Sequence, residues 1–269
     1  MTYKELQRIL REGGIEYAER KAAILFCKYS GVCEASLPFA SDFDSPELRD
    51  AVSRVLDFEP LQYVLGECEF YREKYFLSRD CLIPRPDTEI IVEYAINNLP
   101  KDAYFVDLCT GSGCIAISIL ANRPDCHALA CDISLGALEM ARKNAKENGV
   151  SARIELIHAD VLKGAPDGIF DAVISNPPYI RSDVLPTLSR EVRGEPMAAL
   201  DGGEDGMTFY NRIVEEYKDK IKENGFLLFE TGYDQRQQIQ SLAYAHGLLC
   251  ECLDDFGGNH RGAVLRASK

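Results

Sequence analysis

Ala103-Tyr-Phe-Val-Asp107-Leu-Cys-Thr-Gly111-Ser-Gly113-Cys-Ile-Ala-Ile-Ser-Ile-Leu-Ala-Asn122 is the stretch that decides the fold. Its first part, Ala103–Leu108, is an apolar run of strand length. A turn with glycines at 111 and 113 follows, and Cys114–Asn122 then reads as a helix. Strand, glycine turn and helix in that order open a nucleotide-binding β-α-β unit. The alternation continues downstream. Strands are predicted at His127–Cys131, Arg153–His158, Phe170–Ser175 and Gly225–Glu230, and helices at Leu135–Asn148, Thr208–Lys222 and Gln235–Ala245. Two last strands, Leu248–Leu253 and Gly262–Arg266, have no helix between them and predict an antiparallel edge. The expected class is α/β: a Rossmann-like, mostly parallel seven-stranded sheet with an antiparallel C-terminal edge.

Towards the N-terminus the character changes. Tyr3–Arg11, Tyr17–Tyr29 and Pro46–Phe58 repeat apolar residues at helical spacing, and Ser45-Pro46 reads as an N-cap followed by proline at the first helical position. Between Leu61 and Pro84 the period changes. Phe70, Tyr71, Tyr75 and Phe76 flank a short polar turn, as in a hairpin. The expected organisation is a small helical domain over 1–62, a linker with a β-hairpin over 63–84, and a catalytic domain over 85–269.

Composition bounds what such a chain does. With 269 residues, 46% hydrophobic and 27% charged, there is material for a sizeable core. Thirty Lys and Arg against 43 Asp and Glu leave a net charge of −13, which repels phosphate backbones and argues against direct duplex nucleic-acid binding. No apolar run approaches membrane-span length, and MTYKELQRILREGG lacks the apolar core of a secretory leader, so no membrane role and a cytoplasmic location are expected. The ten cysteines include no Cys-x-x-Cys and several sit in apolar runs such as Ile24–Cys27. They read as buried thiols in a reducing compartment, and no metal site is expected.

The glycine turn and the strand ends around it suggest a cofactor site. Glycines 111 and 113 let the backbone turn sharply beside a ligand, and the next helix points its N-terminus there. Asp132, closing the second strand, is placed to accept from ribose hydroxyls; its plainer reading is a cap for the helix after Ser134. Asp107 discriminates between adenosine cofactors. A carboxylate at that strand tip repels a pyrophosphate but favours a sulfonium or an amino group, which points to S-adenosyl-L-methionine rather than a dinucleotide. His158-Ala-Asp160-Val161 supplies a third loop, with Asp160 to accept from the adenine amino group and Val161 to pack on the ring.

Ser175-Asn176-Pro177-Pro178-Tyr179-Ile180 follows the fourth strand. Two successive prolines stiffen the chain and remove two N–H donors, leaving carbonyls free to accept. An incoming –NH2 has two hydrogens to give. The Asn176 side-chain oxygen and the Pro177 carbonyl are placed to take one each, and Tyr179 offers a flat face to a planar amide or base. An amide nitrogen is a weak nucleophile, so orientation and polarisation must carry the reaction. The rival readings are an adenine N6-methyltransferase acting on nucleic acid, against which the charge argues, and a non-catalytic scaffold that binds the donor without turnover.

Nearly the whole chain resembles the release factor glutamine methyltransferases. The likeness rests on Pro60–Gly66, Leu82-Ile-Pro-Arg-Pro-Asp-Thr-Glu89, Asp107–Gly113, Asn176–Tyr179, Ala199-Leu-Asp-Gly-Gly-Glu-Asp-Gly206 and Glu230-Thr-Gly-Tyr-Asp-Gln235. It implies a class I methyltransferase fold, with S-adenosyl-L-methionine as donor and S-adenosyl-L-homocysteine as product. It also implies methylation of the glutamine side-chain nitrogen in the Gly-Gly-Gln loop of class I peptide release factors, with the helical domain helping to hold that protein. Carried over by motif, donor contacts fall on Cys109, Thr110, Gly111, Ser112, Gly113, Asp132, Val161 and Asn176. Substrate contacts fall on Asn176, Pro177, Pro178 and Tyr179, with Asn176, Pro177 and Tyr179 as the catalytic set. Cys109 stands where the family more often has Gly, Asp87 where Glu is usual, Thr231 where Ile or His is frequent, and Val161 where larger residues occur. Residues 180–206, polar and without clear periodicity, are expected to form a partly mobile flap over the amide pocket or a solvated surface loop.

Overall fold

In the computed structural model, which describes residues 1–164, 166–255 and 257–267, the chain divides into two compact units. One holds Met1–Gly66 with Ser189–Gly194, the other Glu67–Leu188 with Glu195–Lys269. The first is helical: α1 Tyr3–Glu12, α2 Ala18–Ser30, α3 Pro46–Leu56 and α4 Leu61–Leu65. Local chemistry sets their starts. Thr2 and Glu5 form a reciprocal capping box on α1, and the Ser45 hydroxyl accepts from the Leu48 N–H at 3.1 Å ahead of Pro46. The α3 helix stops two residues short of the predicted Phe58, which adopts φ +64 and cannot continue a right-handed helix. Leu6, Leu10, Leu25, Phe26, Leu48 and Val55 fill the core. Within this unit Lys21 pairs with Glu191, and the Arg190 guanidinium lies 4.8 Å from the Phe58 ring centroid.

The second unit carries the hairpin β1 Glu67–Phe70 and β2 Glu73–Phe76, which the sequence reading assigned to a linker. Next come α5 Glu89–Asn98, β3 Tyr104–Leu108, α6 Cys114–Asn122, β4 His127–Asp132, α7 Leu135–Glu147, β5 Ile154–His158 and β6 Phe170–Ser175. The chain ends with α8 Thr208–Tyr217, β7 Ile221–Glu230, α9 Arg236–Ala245, β8 Leu248–Asp254 and β9 His260–Ala267. The sheet runs β5-β4-β3-β6-β7-β9-β8, parallel from β5 to β7 and antiparallel at β9 and β8. This is the seven-stranded, mostly parallel sheet expected from the alternation.

Strand period sets the layers. Phe105, Ala128, Ala130, Ala172, Ile174, Phe226 and Leu228 face α5, α6 and α7. Their neighbours Val106, Leu129, Val173, Leu227 and Phe229 face α8 and α9. Two predictions need correction. Helix α5 was not anticipated: its opening Glu89-Ile-Ile-Val carries a β-branched run that hides the helical period. Helix α8 ends at Tyr217 rather than Lys222, because Ile221 already pairs with Phe170 at the start of β7. Among the described residues no helix is long and apolar enough to cross a membrane.

Candidate active site

Strand order reverses between β3 and β6, and ligands in open α/β sheets bind beyond the carboxyl ends of strands at such a switch point. The Asp107–Gly113 loop follows β3 and the Asn176–Tyr179 corner follows β6, in register through Leu108↔Ser175. A cavity of about 610 Å³ opens there, lined by Cys109, Thr110, Gly111 and Ser112, by Asp132, Asp160 and Val161, and by Thr88, Asn176 and Pro178. That volume is in the range of small-molecule sites. It thus collects most of the residues singled out in the sequence. Asp107, Gly113, Pro177 and Tyr179 stand behind the wall rather than in it.

Asp107 does not line the cavity beside the donor as expected: one of its oxygens is bound into the loop, while Oδ1 has no partner among the described residues. The residue is fully buried, and its Oδ2 accepts from the Thr110 hydroxyl at 2.6 Å and the Ala116 N–H at 3.3 Å. Burial pushes its pKa up to about 7, against those two hydrogen bonds. Gly113 caps α6 with φ +81, and a Cβ there would lie 2.7 Å from Ile117 and 3.2 Å from Ala141. Its smallness serves helix packing. Of the two loop glycines, Gly111, at φ +56, is the one that lines the cavity. Cys109 adopts φ +59, a left-handed backbone that glycine takes up more readily than any other residue. Asn144 pins the loop to the hairpin, donating to Ser112 O at 2.9 Å and Phe76 O at 3.0 Å.

Asp132 does not cap the following helix, since the Ser134 hydroxyl accepts from Ala137 N at 3.1 Å and fills that role. Asp132 Oδ2 accepts from Gly111 N at 2.8 Å and its Oδ1 from Ser134 N at 2.9 Å, while the residue also lines the cavity. A carboxylate has about four lone-pair sites, so two remain for ribose hydroxyls. Desolvation raises its pKa. Asp160 turns its carboxylate to Leu162 N at 3.0 Å and Lys163 at 3.0 Å. Val161, Leu162, Ile133 and Ile115 supply apolar wall.

The residues present fit S-adenosyl-L-methionine. The Ser112 hydroxyl is buried at the cavity and has no partner among the described residues. A Cβ on Gly111 would meet only Cys81, at 4.0 Å, so the loop leaves room. Asp132 and Asp160 line the cavity together with the apolar Ile115, Ile133, Val161 and Leu162.

The acceptor corner is held by segments whose function the sequence left open. Asn176 Nδ2 donates to Thr88 Oγ1 at 3.4 Å, Thr88 Oγ1 donates to Glu230, and the Tyr179 hydroxyl donates to Glu230 Oε1 at 3.2 Å. Tyr179 is therefore anchored by its hydroxyl, and its ring does not stand free in the cavity as a stacking face. The Leu200–Gly206 segment buttresses the corner from outside. A Cβ on Gly202 would lie 2.6 Å from Tyr179 Cα, and one on Gly206 2.4 Å from Tyr179 O. Gln235 Nε2 ties Gly206 O and Tyr179 O together at 3.1 and 3.3 Å. The stretch from 180 to 206 is accordingly structured rather than loose, with Ile180 bridged to Asp201 and Ser182 N donating to Gly203 O at 3.0 Å. Glu195, buried, accepts from Ile83 N at 3.1 Å and pairs with Arg85, which fixes part of the cavity mouth. Thr231 is satisfied, its hydroxyl 3.0 Å from His260 Nε2. Thr88 and Glu230 both lie in stretches that carried the resemblance. No spacing signal linked them, because they come together only in the folded sheet.

A seven-stranded sheet of this order, with a glycine-loop cavity at its switch point and an Asn-Pro-Pro-Tyr corner beside it, defines an S-adenosyl-L-methionine-dependent methyltransferase. Residues 88–191 match the family model "Methyltransferase small domain". The chain is 38% identical over 231 residues to the release factor glutamine methyltransferase of Agrobacterium fabrum, covering 83% of this chain and 80% of that protein. It is 37% identical over 251 residues to the enzyme of the same name from Geobacter sulfurreducens, covering 90% and 87%. The chain belongs to the release factor glutamine methyltransferase family. A solved ribosomal protein L11 methylase from Lactobacillus delbrueckii subsp. bulgaricus shares the fold at TM-score 0.50 and 21% identity, over 69% of this chain and 81% of that one.

Proposed function

We propose that this enzyme transfers a methyl group from S-adenosyl-L-methionine to the side-chain amide nitrogen of the glutamine in the Gly-Gly-Gln loop of class I peptide release factors. The observation that carries the reading is that Asn176 shares one cavity wall with the glycine loop of β3. Thr110, Gly111, Ser112, Asp132 and Val161 would hold the donor, with Cys109 at the turn and Gly113 supporting it from behind. Bound there, the donor supplies an electrophilic methyl carbon on a cationic sulfur. Asn176 Oδ1 and the Pro177 carbonyl would accept the two hydrogens of the substrate –NH2. Pro178 stiffens the corner and Tyr179 anchors it. The helical unit would help hold the release factor, and the setting is the cytoplasm, where release factors act.

The test is mass spectrometry of a release factor after incubation with enzyme and donor, with duplex DNA as a parallel substrate. One added methyl on the Gly-Gly-Gln glutamine is expected. Methyl incorporation into nucleic acid alone would refute the reading. Asn176→Ala should lose about 2–4 kcal/mol of transition-state stabilisation, as for one orienting group, while calorimetry still finds donor binding.

A further inference from the structure

Glu230 closes β7, so the strand-end corner after β6 has the donor loop on one side and this carboxylate on the other. The side chain is 1% exposed, and Thr88 is 2% exposed. Both Glu230 oxygens accept hydroxyl hydrogens, one from Thr88 and one from Tyr179. An ionised carboxylate can only accept, and a hydroxyl has a single hydrogen to give. Thr88 therefore commits that hydrogen to Glu230 and keeps only lone pairs for Asn176. The Asn176 carboxamide must then turn its NH2 towards Thr88, which it does. Its oxygen is left as the end available to the cavity.

We infer that Glu230 is the positioning residue of the methyl-acceptor site: through Thr88 it fixes which end of the Asn176 carboxamide is offered to the substrate, and through Tyr179 it tethers the far end of the corner. This rests on the proposed function, in which the Asn176 oxygen accepts from an –NH2 group. The polarity matters because the two ends of a carboxamide have nearly the same shape. Reversed, Asn176 would present a donor to a donor. While ionised, Glu230 is an acceptor-only anchor, two hydrogen bonds away and out of reach of water, and it removes the reversed state.

The isosteric Glu230→Gln separates polarity from packing, because the new amide can donate to Thr88 and free its hydroxyl to donate to the Asn176 oxygen. Turnover should fall by about 100-fold, with the donor Kd unchanged within about twofold. Independently of activity, NMR should show an NOE between the Asn176 Nδ2 protons and the Thr88 methyl group in the parent, lost in Glu230→Gln. Thr88→Ser, which keeps the hydroxyl, should retain turnover, and Thr88→Val should lose it. That pair stands even if Glu230→Gln fails to fold. Equal turnover of the Ser and Val variants, or an NOE that survives Glu230→Gln, would overturn the inference. A parent enzyme inactive on release factor but showing the NOE pattern would instead count against the proposed function alone.

Discussion

The donor loop and the acceptor corner lie on adjacent strands, yet they are built in opposite ways. Asp107 organises its loop through Thr110 and Ala116, all within one strand–turn–helix segment. Asn176 is organised through Thr88 and Glu230, which arrive from the turn just before α5 and from the end of β7. Each region has a buried carboxylate at its base, and burial raises both to about 7. One holds a local turn together; the other ties distant segments into a single acceptor geometry. A local device is stabilised as soon as its helix forms. A distributed one needs the completed sheet, including the β6–β7 pairing that brings Glu230 beside the corner.

Removing the local anchor should have the largest effect on stability. Asp107→Ala strands the Thr110 hydroxyl and the Ala116 N–H without an acceptor in a fully buried setting, and leaves a void. A loss of about 3 kcal/mol in chemical denaturation is expected, together with weakened donor binding in calorimetry. A loss below about 1 kcal/mol would mean that the loop is held by other contacts, and the contrast between the two regions would disappear.

That contrast also explains what could be read from the chain. The glycine loop, its flanking strand and helix, and Asp132 were legible because their signals fall in one short window. Helix Cys114–Asn122 and strand Phe170–Ser175 lie where the sequence placed them. Asn176 was legible because Pro177 and Pro178 constrain its neighbours whatever surrounds them. The direction of the Asp107 carboxylate was not, since a strand-tip acid can face the ligand or its own turn, and only packing decides. Nor were Thr88, Glu230 and the buttressing role of Gly206, whose partners are fixed by strand order. The same long-range dependence hid the anchoring of Tyr179: a tyrosine in sequence offers a ring and a hydroxyl, and Glu230 determines which one is used.

An intermediate effect should come from the buttress. Gly206 has φ +74, and a Cβ there would lie 2.4 Å from the Tyr179 carbonyl oxygen. Gly206→Ala should cost about 2 kcal/mol of stability through backbone strain and displacement of the corner. Turnover should fall about tenfold to 100-fold, since a shift of about 1 Å in an orienting group is enough, with donor affinity retained. If donor affinity fell in step with turnover, the corner and the loop would be one mechanical unit rather than two.

The smallest effect is read by pH, and it separates the two carboxylates by what each controls. Glu230 is raised chiefly by burial, with Thr88 and Tyr179 lowering it; Asp87 pushes it further up and Arg261, paired with Asp87 at 3.1 Å, pulls it down. Below about 7 it holds a proton and can donate, so the Thr88 hydroxyl is no longer committed; above about 7 it only accepts. Turnover at saturating donor should therefore fall as pH falls through about 7, about tenfold one unit below the midpoint. Glu230→Gln should flatten that limb. Asp107 also ionises with rising pH, so donor affinity, measured separately by calorimetry, should strengthen towards alkaline pH and keep that dependence in Glu230→Gln. For stability the sign is the reverse: both folded carboxyls bind their protons more tightly than the unfolded chain does, so both contributions weaken the fold as pH rises from about 4 to about 7. If the acid limb of turnover survived in Glu230→Gln while the donor limb vanished, the assignments would be exchanged, and the acceptor corner would take its charge state from the loop beside it.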